Sequence, residues 1–328
     1  MLRTSERSSF KRCEWQWYWS YVEQRRARTD RPALRFGTLI HQALAAYYKP
    51  GIKRGPHPAG VFEQLYTAER EAVGGFDIRE YIDEADETVW HDAGELGVAI
   101  LNNYVDTFGA DDEWEVLATE QPFYQIVSDP DGKPLFIYVG TLDGLWKNRS
   151  TRKLWLPDHK TTNKSRIDTR YLRLDEQASA YWTWGVDWLY DNRILRPRQQ
   201  LAGMIFNFLR KAMPDDRPKN EKGQSLNKDG GISKKQPPPY FVRHPVYRDE
   251  FEKGQVRSRA LREFYRMQRM RNGEEVPDKS PSQMNCPFCH LLDICELHET
   301  GNDYQELIDG TLVHYDPYTT YEIEGERR

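Results

Sequence analysis

Residues 135–162 read LFIYVGTLDGLWKNRSTRKLWLPDHKTT. Two apolar runs rich in aromatic and branched side chains flank a short polar RST stretch, the pattern of two strands joined by a tight turn. The segment before it, EWEVLATEQPFYQIVS at 113–128, has the same character and is separated by DPDGKP, a strong turn sequence. Together the three predict an antiparallel meander. Further strands are expected at LAGMIFNFLRK (201–211) and YFVRHPVYR (240–248).

Helical periodicity surrounds this strand region. Residues 5–25 place Phe10, Cys13, Trp17 and Tyr21 on one face. A second helix begins near Gly37 and carries His41, Leu44 and Tyr48 on one side. Helices are also expected at 60–73, 80–108, 168–191 and 249–272. In the third of these, Gln177, Tyr181, Trp184 and Trp188 share a face. The last sets Arg259, Arg262, Arg266 and Arg269 in a basic stripe opposite Ala260, Phe264 and Met267, so one face can pack while the other stays solvated or meets phosphate. Arg12, Arg25, Arg26 and Arg28 extend that basic surface. The expected fold is α/β, a mixed sheet flanked by helices. The segment at 213–239, rich in Pro, Gly, Lys and Asp, reads as a flexible insertion.

At 328 residues, with 13% aromatic content and ten tryptophans, the chain can bury a substantial core. We expect one elaborated domain over 1–328. No run of about eighteen apolar residues is present, and the N-terminus lacks a secretory apolar core, so a cytoplasmic protein without membrane partners is expected. The net charge of −4 hides an asymmetry. Residues 77–120 hold fourteen acids against one Arg, and the remainder is +9. A local polyanion-binding groove is compatible with that balance.

The chemistry concentrates at the strand ends. Asp143 lies between Gly140 and Gly144, and Asp158-His159-Lys160 closes an apolar strand. Adjacent strands can bring both carboxylates to one hard cation such as Mg²⁺ or Mn²⁺. A lysine two residues beyond an acid shares its strand face, where it can orient or help deprotonate water. An Asp-x-Lys by itself is more often a surface ion pair. The four cysteines are split three and one: Cys286, Cys289 and Cys295 form Cys-x2-Cys-x5-Cys, and Cys13 is alone at the other end. In a reducing compartment such thiols read as metal ligands, and their spacing leaves an iron–sulfur cluster and zinc both open.

GTLDG followed by LPDHKTT resembles the Asp…(Asp/Glu)-x-Lys core of the PD-(D/E)XK nuclease superfamily. FGTLIHQAL with His41, and Gln177-Ala-Ser-Ala-Tyr181, are similar to its RecB-like branch. The cysteines resemble those of its iron–sulfur subgroup, which includes CRISPR-associated exonucleases, AddB-type helicase-nucleases and phage recombination exonucleases. The resemblance implies a restriction-endonuclease-like sheet, with cysteine-bearing segments at 1–30 and 273–300 joined by a [4Fe–4S] cluster around a core at 31–272. It further implies that His41, Asp143, Asp158 and the backbone carbonyl of His159 bind Mg²⁺ or Mn²⁺. Lys160 would be the catalytic lysine, and Gln177 with Tyr181 would serve the active site or a DNA phosphate. Glu120, before Pro122, would support the metal through water or hold a neighbouring lysine.

The implied activity is hydrolysis of DNA at ends or in single strands, in recombination, repair or CRISPR adaptation. Partners would be DNA and, by the same resemblance, further copies of the chain or a recombination or CRISPR protein. No GxxxxGK[ST] loop is present in these residues to drive a helicase motor. The competing expectation is an iron–sulfur DNA-binding or assembly protein, or a redox sensor, in which cleavage plays no part.

Overall fold

Strand β4 (Leu154–Thr162) lies at the centre of a five-stranded sheet and carries the residues around which the rest is arranged. The structure is a computed structural model that describes residues 1–28, 32–75, 84–199 and 201–319. The sheet order is β2 (Trp114–Ser128), β3 (Pro134–Asn148), β4, β5 (Leu201–Arg210) and β6 (Phe241–Tyr247). All neighbours are antiparallel except β4 and β5, which run parallel from Leu154↔Leu201 to Thr162↔Arg210. A parallel pair needs a crossover. It is supplied by the helical segment built from α6 (Glu176–Ala180), a π turn (Tyr181–Gly185) and α7 (Val186–Asp191).

Strand alternation sends side chains to two cores. Leu154, Leu156, Met204, Phe206 and Phe208 join Trp182, Trp184, Trp188, Phe264 and Met267 on one face. Trp155, Ile205 and Leu209 join Ile40, Leu44, Phe62, Leu101 and Tyr104 on the other. The second face is covered by α3 (Pro32–Tyr47), α4 (Pro58–Gly75) and α5 (Glu84–Phe108). The expected start of α5 at residue 80 falls outside the described residues. The first face is covered by the crossover helices and α8 (Glu250–Arg271), whose Asp249 and Glu252 form a capping box.

The N-terminal helix departs from expectation. It breaks at Cys13, in extended conformation, between α1 (Thr4–Arg12) and α2 (Glu14–Trp17). Tertiary contacts override the helical pattern there. The Trp15 N–H donates to the Asp278 carbonyl at 3.0 Å, and Glu14 pairs with Arg266 at 2.6 Å. The break leaves Cys13 packed against a third, small core formed by Trp15, Leu291, Ile294, Ile308 and Leu312. Two of its members belong to α9 (Leu292–Glu299) and α10 (Gln305–Thr311).

The terminal segments meet through hydrogen bonds. Strand β1 (Arg25–Ala27) pairs antiparallel with β7 (Leu312–His314), and buried Glu6 receives Arg271 at 2.5 Å together with the Tyr318 hydroxyl. The helix expected from 168 starts at Glu176, because the Asp175 carboxylate caps it by accepting the Ala178 N–H at 2.8 Å. Within 213–239, Arg217 pairs with Asp215 at 2.6 Å and reaches Ser233 Oγ at 2.8 Å, and Ser225 is buried beside them.

Candidate active site

Pairing between β3 and β4 is confined to Trp146↔Trp155 and Lys147↔Leu154. Pro157 has no N–H to donate, so the antiparallel ladder cannot continue through it. Carried onward, the same register faces Asp143 with Asp158. On the other side of β3, Glu120 lies opposite Asp143, between the pairs Thr119↔Gly144 and Gln121↔Leu142. Three carboxylates therefore stand in a row across three neighbouring strands. The backbone is unusual at each end of the row, with proline before Asp158 and a left-handed φ of 43° at Glu120.

Where the ladder stops, a side chain takes over. Asp143 Oδ2 accepts the His159 N–H at 2.7 Å, which holds β4 beside β3 without a backbone bond. His41, presented by α3, sets its Nδ1 3.4 Å from the same oxygen. Among the described residues, His41, Glu120 and Asp143 are the one set of three His, Cys, Asp or Glu side chains whose donor atoms lie within 4.8 Å of one another. Asp158 is fully buried, and its Oδ2 has no hydrogen-bond partner. Lys160 Nζ lies 3.0 Å from that oxygen in charge contact and bonds Asp158 Oδ1 at 3.1 Å.

Electrostatics follow from this crowding. Burial, reinforced by Asp143, raises the Asp158 carboxyl to about 6 against the pull of Lys160. Glu120 is exposed by surface area, yet desolvation by the surrounding site and the Asp143 charge push its carboxyl upward, with His41 acting the other way. Burial works against the Lys160 ammonium, but Asp158, Asp175 and Asp143 outweigh it and raise its pKa. Lys160 is thus protonated at neutral pH, and its chemistry is that of a placed cation and donor rather than of a base. Its Nζ also donates to Gln177 Oε1 at 2.6 Å, and Gln177 Nε2 donates to the Tyr181 hydroxyl at 2.7 Å. Arg7, wholly buried, pairs with Glu176 at 3.2 Å and Glu263 at 2.6 Å, anchoring the helix start that carries Gln177. Gln177, Tyr181, Thr4 and Ser5 line a cavity of about 390 Å³.

The His159 ring turns to the opposite face. Burial pushes its pKa well below the usual value, so the ring is neutral. Asn207 Nδ2 lies 2.8 Å from His159 Nδ1 and donates to the Tyr104 hydroxyl at 2.9 Å. Arg243 closes the network with Tyr104 at 2.7 Å, Tyr48 at 2.9 Å and Asp111 at 2.7 Å. The strand segment that presents Asp158 and Lys160 is therefore gripped from behind.

Cys13, Cys286, Cys289 and Cys295 line one cavity of about 600 Å³, together with Trp15 and Lys279. All four are free thiols. Burial raises the Cys289 thiol, and Cys13 and Cys286 push in the same direction. The basic stripe on α8 is engaged within the protein: Arg266 with Glu14 and Glu275, Arg269 with Glu275, and Arg259 with Glu176 at 4.0 Å. Arg262, the fourth member of the stripe, is exposed and donates to Ser258 Oγ at 2.8 Å.

The sequence profile of the PD-(D/E)XK nuclease superfamily matches residues 4–296. The chain belongs to the PD-(D/E)XK nuclease superfamily. A search of the curated proteins finds no match. Among solved structures, a candidate exonuclease from Eubacterium rectale is similar, with 13% identity, 90% of this chain and 86% of that chain covered, and a TM-score of 0.41. The mixed sheet flanked by helices is consistent with the restriction-endonuclease-like fold of this superfamily. No helix among the described residues is long and apolar enough to cross a membrane.

The structure brings His41, Asp143, Asp158, Lys160, Gln177 and Tyr181 together, and the His159 ring packs edge-on against His41 with centroids 5.9 Å apart. Glu120 offers an oxygen within 4.8 Å of the donor atoms of His41 and Asp143. Asn207 and Arg243 were missed, although an Asn inside LAGMIFNFLRK and an Arg inside YFVRHPVYR are polar residues in otherwise apolar strands.

Proposed function

We propose that this nuclease is a metal-dependent DNA exonuclease of the RecB-like branch, acting on DNA ends or single strands. The observation that carries the reading is the carboxylate row, with buried Asp158 held in an ion pair by a protonated Lys160. Such a row suits a hard cation, and the N/O donor set of His41, Glu120, Asp143 and Asp158, with the His159 carbonyl, would hold Mg²⁺ or Mn²⁺. When bound, that ion supplies Lewis-acid polarisation of the scissile phosphate and eases loss of a proton from water. Lys160, fixed between Asp158 and Gln177, keeps one N–H donor for the attacking water. Tyr181 orients Gln177, and Asp143 keeps β4 in place through the His159 N–H. In-line attack leaves a 5′-phosphate and a 3′-hydroxyl.

The test is direct. Protein purified without oxygen should shorten end-labelled linear DNA in Mn²⁺ and stop on addition of EDTA. Failure to cut any linear DNA in Mn²⁺ or Mg²⁺ would remove the proposal.

A [4Fe–4S] cluster is the proposed occupant of the cysteine cavity. Tetrahedral zinc, with Zn–S bonds of about 2.3 Å, draws its sulfurs to roughly 3.8 Å from one another. Among the described residues no three of the cysteine sulfurs lie within 4.8 Å of one another. The three-and-one cysteine spacing, which resembles that of the iron–sulfur subgroup, supports the cluster, which would clasp the N-terminal and C-terminal segments. Cys13→Ala should lose most of its iron and its visible absorption and melt earlier than wild type. Full iron content in that variant would show that the fourth ligand lies elsewhere.

A further inference from the structure

Beside Lys160 lies a cavity of about 160 Å³ that the proposed chemistry leaves unused. Its floor is Phe206 and Phe208, whose rings are 6.0 Å apart and inclined by only 14°. In the parallel ladder Phe206 stands opposite Asp158 and Phe208 opposite Lys160, so the floor adjoins the carboxylate row. Tyr171 lines one wall and remains 50% exposed, and Leu174 beyond it is 75% exposed. Neither exposure is accounted for by packing of the fold. Lys160 and Lys164 line the mouth. In this loop Arg170 is paired with Asp168, and Arg173 with Asp249 and Glu252.

Size, shape and charge narrow the ligand. Drug-sized molecules take roughly 300 Å³ or more, whereas a single flat ring system fits this volume. An apolar floor with one exposed aromatic wall offers stacking, and lysines at the mouth suit the phosphates on either side of a base. A base paired in a duplex cannot enter such a pocket without leaving its stack, and this costs least when the strand is already single.

We propose that the pocket takes one unstacked nucleobase of the strand being cut, held against Tyr171, so that the preferred substrate is single-stranded or frayed DNA. The inference rests on the nuclease reading for its position beside the scissile phosphate. Thr161, Thr162, Asp168 and Asp175 also line the pocket and can meet the edge of the base.

Binding to Asp158→Asn protein, which needs no cleavage, provides the test. Two probes are compared by fluorescence anisotropy: a single-stranded DNA oligonucleotide, and an abasic deoxyribose-phosphate strand of equal length. Tyr171→Ala should weaken binding of the first about tenfold, the scale of one lost base–aromatic stack, and leave the second unchanged, while Tyr171→Phe binds both as the parent does. Equal weakening of both probes, or no weakening of either, overturns the inference. So does tighter binding of duplex than of single-stranded DNA, or binding of single-stranded RNA as tight as of DNA. If the wild type cuts duplex and single-stranded DNA alike and Tyr171→Ala changes neither, the base pocket fails while the nuclease reading stands.

Discussion

Asp158→Ala is expected to reduce metal-dependent cleavage by about a thousandfold or more, without loss of stability at pH 7.5. The two effects separate because Asp158 is a burdened residue. Its carboxyl is raised from 3.8 to about 6 in the folded chain, chiefly by burial. An acid with a raised folded pKa opposes folding when ionised, so the cost is present above pH 6 and fades as pH falls toward 4. Removing the carboxylate removes that cost, and the variant should melt no earlier than wild type at pH 7.5, with any advantage shrinking near pH 5. Wild-type cleavage should need more Mn²⁺ as pH drops through 6, because proton and cation compete for the Asp158 carboxylate. The measurements are cleavage of labelled linear DNA in Mn²⁺ and thermal melts at both pH values. Persistent cleavage by the variant would sink the site assignment.

Arg243→Met is expected to destabilise the protein by about 3–5 kcal/mol, the range for breaking one partner out of a buried pair. Asp111 is left nearly inaccessible and charged, and the hydroxyls of Tyr48 and Tyr104 lose a common donor. The guanidinium lies 3.7 Å from the Phe108 ring centroid, so the flat cation also packs in ways a thioether does not reproduce. At roughly 2–4 °C per kcal/mol for larger domains, the melting temperature should fall by about ten degrees. Adding Asp111→Asn should restore part of this loss, since the unpaired charge is the larger component. A full loss unchanged by the second substitution would show that packing, not charge, governs the site. Cleavage should fall by less than in Asp158→Ala, because Arg243 reaches the reacting groups only through Asn207, His159 and the backbone of β4.

The strands, their order along the chain and the helical coverage were legible in the sequence because each depends on local periodicity and turn chemistry. LFIYVGTLDGLWKN and RKLWLPDHKT alternate between two buried faces as their composition requires. The helix break at Cys13 was not legible. It depends on Asp278 and Arg266, more than two hundred and fifty residues away, outbidding the local hydrogen bond. The occupied state of Arg259, Arg266 and Arg269 on α8 was hidden for the same reason, since a periodic pattern shows which residues share a face and not which acids another element brings to it.

The sequence by itself determined the kinds of chemical group in this protein: an acid followed two residues later by lysine at a strand end, a helix bearing histidine, a Gln/Tyr pair one turn apart, and thiols at both ends. The tertiary structure alone decided their roles in space. Register across β2, β3 and β4 put Glu120 in line with Asp143 and Asp158, Pro157 opened the ladder between them, and desolvation raised two carboxyls while leaving Lys160 charged. Those outcomes rest on strand pairing and desolvation, which arise only when distant segments pack and so leave no trace in any one stretch of sequence.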